Sequence, residues 1–448
     1  MKSKFRLPRA AKASWGMLAL TWFLWMMNAN DREIMYRVQP EIVKEWHLSP
    51  GAWSAMISAV FLAYALIALP AGILSDRIGR GWRRKITQVW YMVIFTTVSI
   101  FIGIRATSMH WWQFILWRVL GLGAAGGAEA TNVAQCAEYW APEDRGFALG
   151  LHHTGYPVGA LAGGAVCAWI LAAFGGENWR YIFLITPLIG YLLAVALWMF
   201  ANQHTYGQVN AFARSNGLTA PEDEAPVKMG ASEQWALTKS ALANRHVLLT
   251  VFSAALINFA QTMGLWFLSP YLAFVMGKSP AYAAIIGVVP YITGWLGQLI
   301  WGYISDYLGR KNTLVILAIW YAVSILLLTQ IHSVAMMWVI LLVWGLGLNA
   351  VFPVQYAMMA DHAPKAAGSA MGFLLMLVFL GSVPAAPLEG WLIQAAGGWS
   401  TSSGYVAGFF VAAAAAVVAM VLQLFTKDAK SAAKRKGIAS AEAQHGHI

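Results

Sequence analysis

Gly72-Ile-Leu-Ser-Asp76-Arg-Ile-Gly79-Arg80 recurs 230 residues later as Gly302-Tyr-Ile-Ser-Asp306-Tyr-Leu-Gly309-Arg310. Two further correspondences follow it in order. Gly121-Leu-Gly123, Ala137-Glu138, Pro142, Gly146 and Gly150 return as Gly345-Leu-Gly347, Ala360-Asp361, Pro364, Gly368 and Gly372, at shifts of 222 to 224. Gly175-Gly176 returns as Gly397-Gly398. Three near-equal shifts at the same place in each half mean that one ancestral unit has been duplicated. Parallel repeats of this kind are an architecture of secondary transporters.

Composition fixes the solvent. Of the 448 residues 59% are apolar and 11% charged, and the mean hydropathy is +0.58. Soluble domains carry about 25% charged residues, so a cytosolic enzyme, a disordered scaffold and a secreted disulfide domain are excluded. Cys136 and Cys167 lie in apolar runs and offer neither a disulfide framework nor metal-ligand spacing. The 23 tryptophans suit the aromatic belts of a membrane protein.

A crossing helix needs roughly 20 apolar residues. That window gives twelve spans, near 16–36, 51–74, 86–105, 111–133, 147–173, 181–201, 247–275, 282–304, 313–330, 335–358, 366–393 and 403–425. Lys2 to Lys12 precede no small-residue cleavage site, so the first span is expected to stay in the protein. With both tails inside, only seven of the 30 Lys and Arg (Arg32, Arg37, Lys44, Arg105, Arg118, Arg180, Lys278) fall in spans or outer loops. This is a positive-inside pattern, and it accounts for the net charge of +11 without nucleic acid. Residues 202–246, with Gly217, Pro221, Glu222-Asp223-Glu224 and Pro226, read as a cytoplasmic linker carrying a short helix around Glu233 to Ala243. The organisation is therefore a six-helix half at 1–201, the linker at 202–246, a second half at 247–425 and a basic cytoplasmic tail at 426–448.

The loop pattern Gly-x-x-x-Asp-Arg-x-Gly-Arg at Gly72 to Arg80 resembles the cytoplasmic loop 2–3 signature of the major facilitator superfamily, and Gly302 to Arg310 stands where that family carries its weaker echo. The resemblance covers all twelve spans. It implies an all-α membrane protein of two pseudo-symmetric six-helix halves that rock around a central cavity in alternating access. Gly72, Asp76, Arg77, Gly79, Arg80, Asp306, Gly309 and Arg310 are the gating candidates. The two aspartates, just past the ends of spans 2 and 8, can accept from N–H groups at a helix start or pair with Arg. Such contacts hold one face closed and break when it opens. The plainer alternative is a solvated turn whose charge sets topology.

Ionisable groups inside a span cost roughly 2.5–3.5 kcal/mol each on insertion scales, so each one is a site hypothesis. Span 1 carries Asn28, Asp31, Arg32 and Met35 on one helical face, and span 4 carries Arg118 and Glu129 three turns apart. Asp31 lies roughly 22 Å above the inner end of span 1, and Arg118 roughly 10 Å below the outer end of span 4. In a core about 30 Å thick these levels nearly coincide, so an Asp31–Arg118 pair is geometrically possible and Glu129 lies deeper. Arg32 and Arg118 suit a carboxylate, which Arg binds in a bidentate fork. Glu129, among Gly and Ala, is suited to taking up a proton, with Asp31 as its partner. A static ion pair joining spans 1 and 4 is the structural alternative. In the second half Arg118 maps onto Leu342 and Glu129 onto Pro353. Neutral groups remain there as substrate contacts: Asn258, Gln261, Tyr291, Gln298 and Asn349.

Within the superfamily, Asn28-x-x-Asp31-Arg32 and Arg118 resemble the anion:cation symporter branch. That resemblance implies proton-linked acids in spans 1 and 4 and anion-binding arginines. The branch often places an acid seven residues after the span 4 arginine. Here that position is Ala125, and Glu129 lies one turn later on the same face. Three other signals are set aside. Gly121-Leu-Gly123-Ala-Ala-Gly126 matches a dinucleotide fingerprint but sits inside a span, where small residues serve helix packing. His152-His153 has no ligand-spaced acid or Cys beside it, and Glu389 reads as interfacial.

The expected function is proton-coupled uptake of a small organic anion, a sugar acid or other carboxylate, into a bacterial-type cell across its inner membrane. Neither a metal nor a cofactor is expected, and the partners are the anion, protons and the bilayer around a monomer. A proton-driven drug or metabolite exporter of the same fold stays open. A non-transporting membrane sensor ranks lower, since it calls for an added signalling domain. An enzyme is disfavoured, because no nucleophile–base constellation appears. The identity of the anion, the direction of transport and the proton stoichiometry stay open at this level.

Overall fold

The computed structural model describes residues 9–141, 144–223, 236, 239–240, 243–331, 333–363 and 367–428, and the side chains of Asp76 and Asp306 lie outside those described. There is no strand among the described residues. Among the described residues ten helical stretches are long and apolar enough to cross a membrane. Two more helices, α1 (Lys12–Arg37) and α5 (Trp111–Glu138), have 26 and 28 residues but carry interior charges. At 1.5 Å per residue each exceeds a hydrocarbon core of about 30 Å, and with them the count reaches the expected twelve. The two helices that fall short on apolarity are those that hold Asp31, Arg32, Arg118 and Glu129.

The chain packs as two compact units, residues 1–35 with 63–228 and residues 36–62 with 229–448. The first unit holds most of α1, the later turns of α3 (Pro50–Ile78), α4 (Lys85–Gly103), α5, α6 (Arg145–His153), α7 (Gly155–Phe174), α8 (Arg180–Ile185), α9 (Leu188–Phe200) and α10 (Gln203–Ser215). Helix α10 lies within the expected linker. Asn202 caps it by accepting from Thr205 N at 3.0 Å, and Tyr206 packs at a tilt on Tyr139 with ring centroids 5.3 Å apart. Arg214 at its far end pairs with Glu222 and Asp223, both at 2.6 Å, which holds the Asp223 carboxyl below its usual range. The helix expected around Glu233 to Ala243 falls mostly outside the described residues.

The second unit holds α2 (Gln39–Trp46), the first turns of α3, α11 (Arg245–Trp266), α12 (Pro280–Ile286), α13 (Val289–Leu308), α14 (Arg310–Leu328), α15 (Val334–Leu348), α16 (Val351–His362), α17 (Ala367–Ala395) and α18 (Ser402–Leu424). Val247, Val251 and Ala254 of α11 pack with Met359, Leu374 and Val378 in a dry cluster. Pro384 and Pro387 lie inside α17. A proline has no N–H, so Pro387 leaves the carbonyl of Val383 without its helical donor. Ser58 Oγ of α3 takes that carbonyl at 2.5 Å. The same seam is stitched further along by Gly51 N to Gln394 Oε1 at 3.2 Å and Trp399 Nε1 to Leu48 O at 2.8 Å.

The duplicated glycines sit at duplicated turns. Gly79 has φ +142° and its counterpart Gly309 +92°, conformations that L side chains rarely adopt. The Gly121–Gly126 run is a packing seam, as its place inside a span suggested. A Cβ at Gly126 would stand 2.8 Å from the carbonyl oxygen of Tyr64, so α3 and α5 can meet here only backbone to backbone.

Candidate functional site

That close approach positions Tyr64 for the chemistry. With α3 against α5 at Gly126, the Tyr64 hydroxyl reaches Glu129, three residues further along α5, and donates to its carboxylate. Arg32 of α1 closes the group, its Nη1 donating to Tyr64 Oη at 3.2 Å and lying 3.8 Å from Glu129 Oε2. Successive helical residues point about 100° apart, so the preceding residue addresses other neighbours. Asp31 Oδ2 accepts from Arg118 Nη1 at 3.1 Å, and its Oδ1 accepts from Ser99 Oγ of α4 at 2.5 Å. Arg118 Nη2 also donates to the Asp31 carbonyl at 3.1 Å. Arg118 and Asp31 are 1% and 2% exposed, so this is a fully desolvated pair.

Two charge groups therefore lie side by side on α1. In one, Arg118 is satisfied twice over by Asp31. In the other, Arg32 and Glu129 share a phenol and stand at the edge of ion-pair distance. Asn28, one turn before, donates to the carbonyl of Ala125 at 2.9 Å, so the position where the resembled branch often has an acid is spanned by an amide. The expected partnership of Glu129 with Asp31 does not appear as a contact. Tyr64 and Arg32 take that place.

Aromatic rings enclose Arg32. Its guanidinium carbon lies 4.6 Å from the ring centre of Tyr156, 5.4 Å from Tyr64 and 5.9 Å from Trp25, distances at which ring faces attract a cation. Tyr156 Oη donates to Glu33 Oε1 at 2.7 Å. His152 is fully buried, lies nearly flat on Trp25 with centroids 6.0 Å apart, and has no hydrogen-bond partner at either ring nitrogen. This part of the first unit holds three carboxyls, Asp31 and Glu33 buried and Glu129 half-buried, and two buried guanidiniums, Arg32 and Arg118, while Arg37 at the end of α1 is a third. The sequence reading passed over Tyr64, Ser99 and Tyr156, because a hydroxyl in an apolar span carries no signal of its own.

At the glycine-turn end of the first unit a second cluster forms on Glu138. Its carboxylate accepts from Arg80 Nε at 3.0 Å, Gly81 N at 2.5 Å, and Arg84 Nε and Nη2 at 2.8 Å each. Arg84 Nη1 also reaches Ser75 Oγ at 3.0 Å. The second unit repeats the plan with its own residues. Arg310 donates to Ser305 and lies 3.8 Å from Asp361, the counterpart of Glu138. The backbone N–H of Lys311, counterpart of Gly81, donates instead to Asp428 Oδ1 at 2.9 Å. Of the gating candidates, Arg80 and Arg310 are in these clusters, Gly79 and Gly309 form the turns, and Gly72 and Arg77 close α3. The side chains of Asp76 and Asp306 are outside those described. Glu138 and Arg84 were missed as site residues, although the Ala-acid repeat at 137–138 and 360–361 was the available signal.

The neutral candidates of the second unit are placed as follows. Asn258 donates to Val378 O at 2.8 Å and Ser382 Oγ at 2.6 Å. Gln261 accepts from Tyr321 Oη at 3.3 Å. Tyr291 is fully buried, Gln298 is half-buried, and buried Asn349 has an amide nitrogen with no hydrogen-bond partner. Among the described residues no group of three or more metal-ligating side chains occurs.

Comparison with known proteins identifies the family. The family model of the Major Facilitator Superfamily matches residues 17–278 and 251–444. The hexuronate transporter of Bacillus subtilis is 24% identical over 424 residues, covering 91% of this chain and 95% of that protein. The gallate transporter of Pseudomonas putida is 26% identical over 347 residues, covering 73% and 72%. Among solved structures, an inward-facing, unoccupied bacterial homolog of the human lysosomal transporter Spinster superposes with a TM-score of 0.69 at 19% identity, covering 96% and 97%. The chain belongs to the Major Facilitator Superfamily, and it is a multi-pass membrane transporter rather than an enzyme.

Proposed function

We propose that this facilitator-superfamily transporter carries a small organic acid, a sugar acid or a hydroxylated aromatic acid, into the cell together with protons. The observation that carries the reading is the difference between the two buried arginines. Arg118 makes two hydrogen bonds to Asp31, whereas Arg32 lies 3.8 Å from Glu129 with Tyr64 between them. A proton on Glu129 removes the charge that competes for Arg32, and a solute carboxylate can then take the guanidinium in a fork. Linkage requires the reverse as well: an anion bound at Arg32 makes protonation of Glu129 more favourable. That is the sign symport needs. The aromatic rings around Arg32 offer flat faces to the rest of the solute. Relatives named for hexuronate and gallate support both solute classes.

The two halves, 1–201 and 247–425, are taken as the bodies that alternate, joined by the linker 202–246. The Glu138 and Asp361 clusters act as the latches of the inner face, and the positive-inside charge pattern supports cytoplasmic termini in a bacterial-type cell.

The test is transport in proteoliposomes, with internal pH recorded as glucuronate, gallate or glucose is added. Proton entry with the acids and none with glucose is expected. Glu129→Gln should abolish accumulation driven by a pH gradient while retaining exchange of the acid. Proton entry that survives Glu129→Gln would move the coupling to Asp31. Protons leaving against an organic cation, with no response to acids, would replace uptake by export.

A further inference from the structure

Glu389 of α17 is fully buried, and neither carboxyl oxygen has a hydrogen-bond partner. Its position four residues before the expected end of span 11 suggested an interfacial side chain, but α17 continues to Ala395 and α18 packs over it. The site is shaped to receive the group. A Cβ on Gly408 of α18 would overlap both carboxyl oxygens, so the glycine leaves the niche that Glu389 fills. Its neighbours supply no charge. The ionisable groups facing it are the phenols of Tyr405 on α18 and, behind that, Tyr271, with centroids 5.3 Å apart. From α3 the facing groups at the adjacent Gly390 are Ser54 and the carbonyl of Pro50. Among the described residues no Lys, Arg or His lies within ion-pair distance of it.

A carboxylate stripped of water, donors and counter-charge is far costlier than the neutral acid. We propose that Glu389 is a second proton-binding site, in the second repeat, which holds a proton in this conformation and exchanges it when water enters beside α17. The route for water is the seam one residue away. There Gly390 lies against Ser54 and Pro50, and Ser58–Val383, Gly51–Gln394 and Leu48–Trp399 close the line. On loading, an O–H bond forms on one carboxyl oxygen with a proton taken from water. On release that bond breaks and the proton returns to water. The coupling role rests on the symport reading above; the protonation does not. It gives the transporter one acid in each repeat, Glu129 in the first and Glu389 in the second, so more than one proton can accompany a solute.

Infrared spectroscopy of the protein in lipid decides occupancy without a solute. In a Glu129→Gln background, a protonated-carboxyl C=O band should persist near neutral pH, shift in D2O, and vanish on adding Glu389→Gln. Gln is isosteric with the neutral acid, so this variant should keep its thermal stability, whereas loss of a charged, paired carboxylate would lower it. Reversal potentials with glucuronate and with gallate then count protons per solute, and Glu389→Gln should carry one fewer than the parent. A band unaffected by Glu389→Gln, or an unchanged proton count, overturns the proposal. If the parent protein moves protons with neither acid, the symport reading falls, while the infrared result still decides whether Glu389 holds a proton.

Discussion

Asp31 and Arg118 show what a pair of residues can fix by itself. Each is almost completely buried, and their bond joins α1 to α5. Removing one partner of such a pair strands the other charge and costs about 3–5 kcal/mol, whereas replacing both by apolar groups is often neutral. Asp31→Asn and Arg118→Leu are therefore each expected to lower the unfolding temperature in detergent by several degrees. The double variant should recover most of the loss; equal loss in all three would assign the stability to packing instead. This pair was legible in the sequence because depth follows from residue count at 1.5 Å per residue. Two helices of known ends place two charges at one level without any coordinates. Tyr64 was not legible. Its reach to Glu129 depends on the backbone approach at Gly126, and a one-dimensional reading has no access to rotation between neighbouring helices. Glu389 was misplaced for a related reason. Distance to the end of a span estimates depth along the membrane normal and says nothing of which neighbour covers the side chain.

At the level of elements, the duplication makes a controlled comparison. In the first copy of the loop, the N–H of Gly81 is satisfied by Glu138, which also gathers Arg80 and Arg84. In the second copy the corresponding acid is Asp361, one methylene shorter, with its Oδ2 3.8 Å from Arg310 Nε. The free N–H at the start of α14 is met from outside the repeat by Asp428, which follows α18. An acid at a helix start satisfies orphan donors and complements the helix dipole. Asp428→Ala should cost about 1 kcal/mol, the usual worth of such a cap, while Asp428→Asn, which still accepts a hydrogen bond, should cost less. Thermal unfolding of the two variants side by side checks this, and a loss as large in Asn as in Ala would point to charge rather than capping. The sequence displayed the two loops and both acids as a repeat. It could not show that the shorter acid leaves a donor for the tail to fill, since that depends on a gap of one carbon.

Across the whole molecule, the repeats have kept one fold and divided the chemistry. The buried pair Asp31–Arg118 and the half-buried pair Glu129–Arg32 belong to the first unit. At the matching places the second repeat has Leu342 and Pro353, and apart from the carboxyl of Glu389 on α17 its candidate polar groups are the amides Asn258, Gln261 and Asn349 with the phenol of Tyr291. Neutral amides and hydroxyls cannot bind a proton in the physiological range, but where such groups meet a solute they can discriminate between hydroxylated ones, because a buried donor left unpaired by the wrong solute is penalised. Asn349, with an amide nitrogen that is buried and lacks a partner, is the strongest of them. Asn349→Ala and Gln261→Ala are therefore expected to change the ratio of glucuronate to gallate uptake several-fold and to leave the protons carried per solute unchanged. Arg32→Lys should do the opposite. A lysine keeps the charge but loses the planar fork, so both acids should weaken together, by about tenfold or more, with their ratio little altered. Competitive uptake of the two acids in proteoliposomes, with reversal potentials recorded on the same preparations, separates these outcomes. A second-repeat amide variant that altered the proton count would show that the division drawn between the neutral and the ionisable groups is wrong.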